Sequence, residues 1–141
     1  MSRLPSPDDP PALVEPGEYE LRFLGLRTSN VFNPAKVAFW FSIVTPGEAF
    51  EEALPRWYRV RSVSSSKRFR FSWRGELVRE YYQLFPARAD KLRKATEFPV
   101  TKLRDHVIVG RVETVISDHK QRPLAENMRY SVVRELLRLA D

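Results

Sequence analysis

Residues 36–44 read Lys-Val-Ala-Phe-Trp-Phe-Ser-Ile-Val, and the alternation within them decides the fold class. Neighbouring side chains of a β-strand point to opposite faces, so Val37, Phe39, Phe41 and Ile43 share one side while Ala38, Trp40, Ser42 and Val44 share the other. Four large apolar groups on one face belong in a core. The mixed composition of the second face leaves Trp40 beside small neighbours, with open room around its ring. The segment is therefore a strand with one buried face and one that is free for other uses.

Working outward, Glu18 to Thr28 alternates Tyr19, Leu21 and Phe23 against Glu20 and Arg22, which predicts a first strand joined to the second through the turn residues Ser29 to Pro34. Thr45-Pro46-Gly47 ends the second strand, and a loop carrying Glu48, Glu51 and Glu52 leads to Pro55. The run Arg56 to Val63 predicts a third strand. Ser72 is placed to cap a helix over Trp73 to Phe85, with Leu77, Tyr81, Leu84 and Phe85 on one face and Pro86 as its stop. Arg88 to Lys102 is basic and mixed and predicts no more than one helical turn. His106 to Ser117 is rich in β-branched residues and reads as a strand, with Met128 to Val133 as its partner. Arg134 to Leu139 either extends that strand or forms a terminal helix.

The 141 residues suit one domain, 17–141, preceded by a Pro-rich N-terminal tail, 1–16, that carries Pro5, Pro7, Pro10, Pro11 and Pro16. Net charge is +6, but the tail holds one base against three acids, while Arg56 to Lys94 holds twelve bases against three acids. Charge concentrated in this way attracts polyanions, nucleic acid first. Cysteine is absent, which removes disulfides, thiolate metal sites and thiol catalysis. No apolar run is long enough for a membrane span and no secretory leader is visible, so a soluble cytoplasmic protein is expected. His106 and His119 lack a ligand set, phosphate-binding glycine motifs are missing, and Glu51-Glu52 has no base or nucleophile beside it. The expectation is a non-enzymatic protein with no cofactor and no metal.

Strand, strand, strand, helix, strand, strand is the order of a mainly β, five-stranded OB-fold-like Greek-key barrel with one helix between strands three and four. An α+β sandwich with one covering helix is the rival. Between Arg56 and Arg74 the chain sets seven bases and five aromatics with no acid among them. Together with Trp40 and Trp57 in strands two and three, this pattern resembles the small OB-fold single-stranded DNA-binding proteins of phages, plasmids and mobile elements. The resemblance covers about Gly17 to Val133 and is one of pattern, not of a diagnostic motif. It implies replication, recombination or transfer of a mobile element as the setting.

Rings stack on unpaired bases and cations neutralise phosphates. The residues expected to hold a strand are thus Trp40 and Trp57 for stacking, Arg59 and Arg61 for phosphate and planar contacts, and Lys67, Arg68, Phe69 and Arg70 as a rim. Each has a plainer reading. Trp40 can pack beneath the N-terminal tail, Trp57 can be covered by a loop, and Phe69 can be a core pin. Single-stranded DNA is the expected partner, and RNA satisfies the same pattern. The alternative function is an assembly subunit that turns its basic face to an acidic protein; the acidic loop opposite the basic segment also admits a homo-oligomer.

Overall fold

A computed structural model describes residues 4–6, 9–29, 35–64, 68–88 and 98–140. In chain order the elements are β1 (Gly17–Ser29), β2 (Lys36–Ile43), β3 (Ala53–Arg59), β4 (Ser62–Val63), β5 (Phe69–Arg70), α1 (Glu76–Leu84), α2 (Thr101–Arg104), β6 (Val107–Val115) and β7 (Tyr130–Leu139). Five of the strands form one antiparallel sheet in the order β3-β2-β1-β6-β7, and β4 and β5 form a small separate hairpin. The chain is mainly β with α1 as its principal helix. The sheet curls until its edge strands β3 and β7 lie near each other, but no ladder of hydrogen bonds closes it among the described residues.

The alternation in β2 works as the sequence dictates. Val37, Phe39, Phe41 and Ile43 are all fully buried. Phe39 sits at the centre of the core, with the rings of Phe23, Tyr58 and Phe98 at 5.6, 5.3 and 5.8 Å. β1 follows the same logic up to Phe23, then shifts register between Phe23 and Gly25 through a bulge. The extra residue reverses the parity of the strand, so Leu26 rejoins the core and Gly25 stands opposite Trp40 on the outer face. In β6, Gly110 is required by close approach. A Cβ built there would lie 2.5 Å from a Leu21 methyl and 3.2 Å from Val133.

The larger shifts from the predicted boundaries each have a physical reason. β3 begins at Ala53 and includes Pro55, which a sheet edge tolerates because the missing N–H removes no ladder bond. It also ends early. Val60 still donates to Ala35 at 3.0 Å, but Arg61 donates instead to Arg70 at 2.7 Å, so the predicted third strand splits between the main sheet and the hairpin. The helix starts at Glu76 and not at Trp73, because Ser72 organises a turn: its carbonyl accepts from Gly75 N–H at 3.0 Å and its hydroxyl accepts from Arg74 N–H at 3.3 Å. At the C-terminal end, Arg134 to Leu139 extends β7 along β6 as far as the Leu139–Ile108 pair.

Candidate nucleic-acid interface

β3 sends alternate residues to opposite sides of the sheet, and its two sides do different chemistry. Inward, Arg56 is only 5 % exposed, Tyr58 1 %, and Glu80 of α1 1 %. Glu80 accepts from Tyr58 Oη at 2.8 Å, from the backbone N–H of Leu136 in β7 at 2.9 Å, and from Arg56 through both Nε and Nη2. Arg56 also donates to Glu76 at 2.9 Å and to the Trp57 carbonyl at 2.8 Å, and its guanidinium lies over the Tyr58 ring at 4.3 Å. One helical carboxylate thus ties together the two sheet edges that do not pair with each other.

The titrations follow from this enclosure. Burial works hardest against the charge of Arg56, but the hydrogen bonds to Glu80 and Glu76 and the electrostatic pull of Tyr58 and Glu80 together outweigh it and hold the guanidinium above its ordinary value. Burial and the neighbouring Glu80 charge push the Tyr58 phenol well up. The hydrogen bond from Arg56 holds Glu76 below the usual carboxylate range.

Outward, Trp57 pairs with Ala38 and Pro55 pairs with Trp40, so both indoles share the outer face of neighbouring strands, one diagonal step apart. Each is half-buried. A groove follows this face and the adjoining edge of β3 in two lobes that meet at Lys36, Arg56, Trp57 and Arg134. The first lobe contains Trp40 and is bordered by Ser117 to His119 of the β6–β7 loop, by Glu51 and Glu52, and by the N-terminal segment. Asp118 braces that loop: backbone N–H groups of Arg122 and Lys120 donate to its carboxylate at 2.9 Å and hold it below its ordinary value.

The second lobe is basic. Arg59, Arg61, Arg74 and Arg79 line it, and none has an ion-pair partner among the described residues. Arg111 and Arg134, on the far wall, are engaged by Glu113 and Glu135. Four guanidiniums without a direct ion pair, beside a half-buried indole, can bind phosphates and stack a base, the two contacts a single strand offers.

Among the expected residues, the structure brings Trp40, Trp57, Arg59 and Arg61 to this groove. Arg68 and Arg70 are exposed on the β4–β5 hairpin, which a backbone hydrogen bond from Arg61 to Arg70 holds at the border of the basic lobe. Lys67 lies outside the described residues. Phe69 departs from expectation. It packs on Phe39 at 6.3 Å and Phe98 at 6.4 Å as part of the core, because the hairpin strand alternates and sends its ring inward while Arg70 points out.

Arg74 and Arg79 were not among the expected contacts; Arg79 occupies the polar face of α1, whose apolar side Leu77, Tyr81 and Leu84 had already marked out. No metal-binding group of His, Asp and Glu exists among the described residues, and no helix there is long and apolar enough to cross a membrane. Comparison with known protein families, with curated proteins and with solved structures finds no match.

Proposed function

We propose that this chain is a non-enzymatic single-stranded DNA-binding protein with little sequence preference, built on an OB-like barrel that is bridged at its open seam by a side chain. The observation that carries the reading is the convergence of Trp57 with Arg59, Arg61, Arg74 and Arg79 around one groove beside the edge of β3. The barrel reading draws support from the strand order, from the proximity of β3 to β7, and from the β6–β7 loop at the groove's border. Nucleic acid crosses the corresponding face and loops of OB-folds. Stacking on Trp57 and phosphate contacts from guanidiniums discriminate little between bases, which suits a role in replication, recombination or transfer of a mobile element in the cytoplasm. RNA remains the alternative ligand, because nothing in a ring and a guanidinium selects against a 2′-hydroxyl.

Tryptophan fluorescence titration with oligo-dT at several salt concentrations tests the proposal. Four phosphate contacts give a slope of about −3 for log K against log salt. Micromolar protein that leaves oligo-dT unbound at low salt refutes it. In that event the assembly-subunit reading gains ground, and it has its own structural motive. Glu51 and Glu52 border one end of the groove while the free arginines line the other, an arrangement in which a second copy could dock head to tail.

A further inference from the structure

The N-terminal segment forms one wall of the groove that the proposed ligand would use. Leu4 covers Gly25 closely enough that a Cβ on the glycine would come within 3.3 Å of a Leu4 methyl carbon, and Gly25 is the register partner of Trp40. Ser6 and Asp9 close a short turn, with Ser6 N–H donating to the Asp9 carboxylate at 2.8 Å and Asp9 N–H to the Ser6 carbonyl at 3.0 Å. Further along, the chain is pinned to β7. Ser131 N–H donates to the Ala12 carbonyl at 2.9 Å, Val14 N–H donates to Ser131 Oγ at 2.8 Å, and that hydroxyl donates back to the Val14 carbonyl at 3.2 Å. Between these two anchors Pro5, Ser6, Asp9, Pro10 and Pro11 border the same lobe as Trp40 and Trp57.

The segment is poorly made for permanent residence. Prolines cannot donate to a β-ladder, so this part of the chain lies on the face without becoming a sixth strand. Trp40 Nε1–H is enclosed and has no hydrogen-bond partner among the described residues, so the described part of the segment supplies it no acceptor. In charge the segment imitates a weak polyanion, with one base against three acids in the first sixteen residues. An oligonucleotide carries many more negative charges, and its base carbonyls and phosphate oxygens are acceptors of the kind Trp40 lacks.

We propose that the described N-terminal residues, 4–6 and 9–12, act as an intramolecular strap that walls off the tryptophan lobe in the free protein and leaves it when single-stranded DNA binds, with the contacts at Ser131 serving as the hinge. The inference rests on the nucleic-acid reading of the groove and adds a regulator to it. A competing segment that is docked most of the time lowers apparent affinity by the fraction of molecules left open.

The test uses the full chain and two substitutions at positions that make no proposed DNA contact. Leu4→Ser removes the anchor over Gly25. Its oligo-dT affinity should rise about threefold to tenfold, as expected for loss of a strap docked in most molecules. Pro10→Cys introduces a unique thiol for a fluorescent label, since the sequence has no cysteine. Anisotropy of that label should fall when oligo-dT is added. Unchanged or weaker affinity in Leu4→Ser, with a label that stays immobile while tryptophan fluorescence reports binding, overturns the strap and leaves the DNA-binding reading standing. Failure of both proteins to bind at low salt overturns both readings together.

Discussion

Arg56 and Arg59 stand three residues apart on one strand and are indistinguishable in composition, yet they belong to different parts of the molecule. Arg56 is sealed between β3, β7 and α1, bonded to Glu80, Glu76 and a backbone carbonyl. Arg59 points into the basic lobe and has no ion-pair partner among the described residues. A buried cation must be matched donor for donor, and once matched it is committed to the fold. An exposed one is held by nothing and is available to a polyanion. A dense basic run therefore overstates the charge on offer: position on the strand, inward or outward, decides which arginines a ligand can reach.

The largest expected effect comes from breaking the inward side. Glu80→Ala strands the Arg56 guanidinium, the Tyr58 hydroxyl and the Leu136 N–H without their shared acceptor. Loss of one partner from a buried pair costs about 3–5 kcal/mol, which urea denaturation will show as a large drop in midpoint. Arg59→Ala should leave that midpoint within about 0.5 kcal/mol of the parent. Equal losses at both positions would erase the distinction between the two sides of β3.

Next in size is the loss of stacking. Trp57→Ala should weaken oligo-dT binding by about 1–3 kcal/mol while the fold survives, because its ring lies on the outer face and is only half-buried. A Trp57 variant that unfolds but binds normally in its folded fraction would make the indole a structural cover.

How much of this contrast could be read from the sequence follows from the range of the interactions. β1, β2 and β6 are plain in the residue order because alternation is a local signal, and Phe39 and Phe41 could lie nowhere but inside. The fate of Arg56 was not visible. Its partner Glu80 lies on a helix 24 positions later, and only the closeness of two unpaired sheet edges makes a carboxylate necessary there. Phe98 was hidden for a similar reason. It stands in a basic stretch without periodicity, yet it is buried against Phe39, Phe71 and Tyr81. In the groove, Trp40, Trp57 and Arg59 were legible from strand parity, whereas Arg61 reaches the lobe from beyond the end of β3. Arg74 and Arg79 needed the position of α1, and the course of the N-terminal segment needed Gly25 and Ser131.

Alkaline pH offers a milder way to probe the inward side. The Tyr58 phenol is raised above its ordinary value by burial and by Glu80. A group whose value is raised on folding contributes stability that is complete below its unfolded value, about 10 for tyrosine. That contribution is lost as pH climbs from there through the folded value. Urea midpoints of the parent should therefore fall above this point more steeply than those of Tyr58→Phe, which itself costs about 1 kcal/mol at neutral pH for the lost hydrogen bond. Parallel pH profiles would mean that the phenol is not held in its neutral form by the network.

The smallest effects lie among the outward arginines, and their ranking sharpens the comparison most finely. Arg61 and Arg70 are joined by a backbone hydrogen bond, but Arg61 lines the basic lobe whereas Arg70 stands on the hairpin outside it. If the strand follows the groove, Arg61→Ala removes one phosphate contact and should reduce the magnitude of the salt slope by about 0.7 for single-stranded DNA. Arg70→Ala alters only the surrounding field, so at low salt it should slow association slightly, and it should leave the slope nearly unchanged. Stopped-flow association and equilibrium titrations across salt concentrations separate the two. A loss of about 0.7 in slope at Arg70 and none at Arg61 would move the path of the nucleic acid out of the groove and onto the hairpin. The free arginines beside Trp57 would then be surface charge without a ligand.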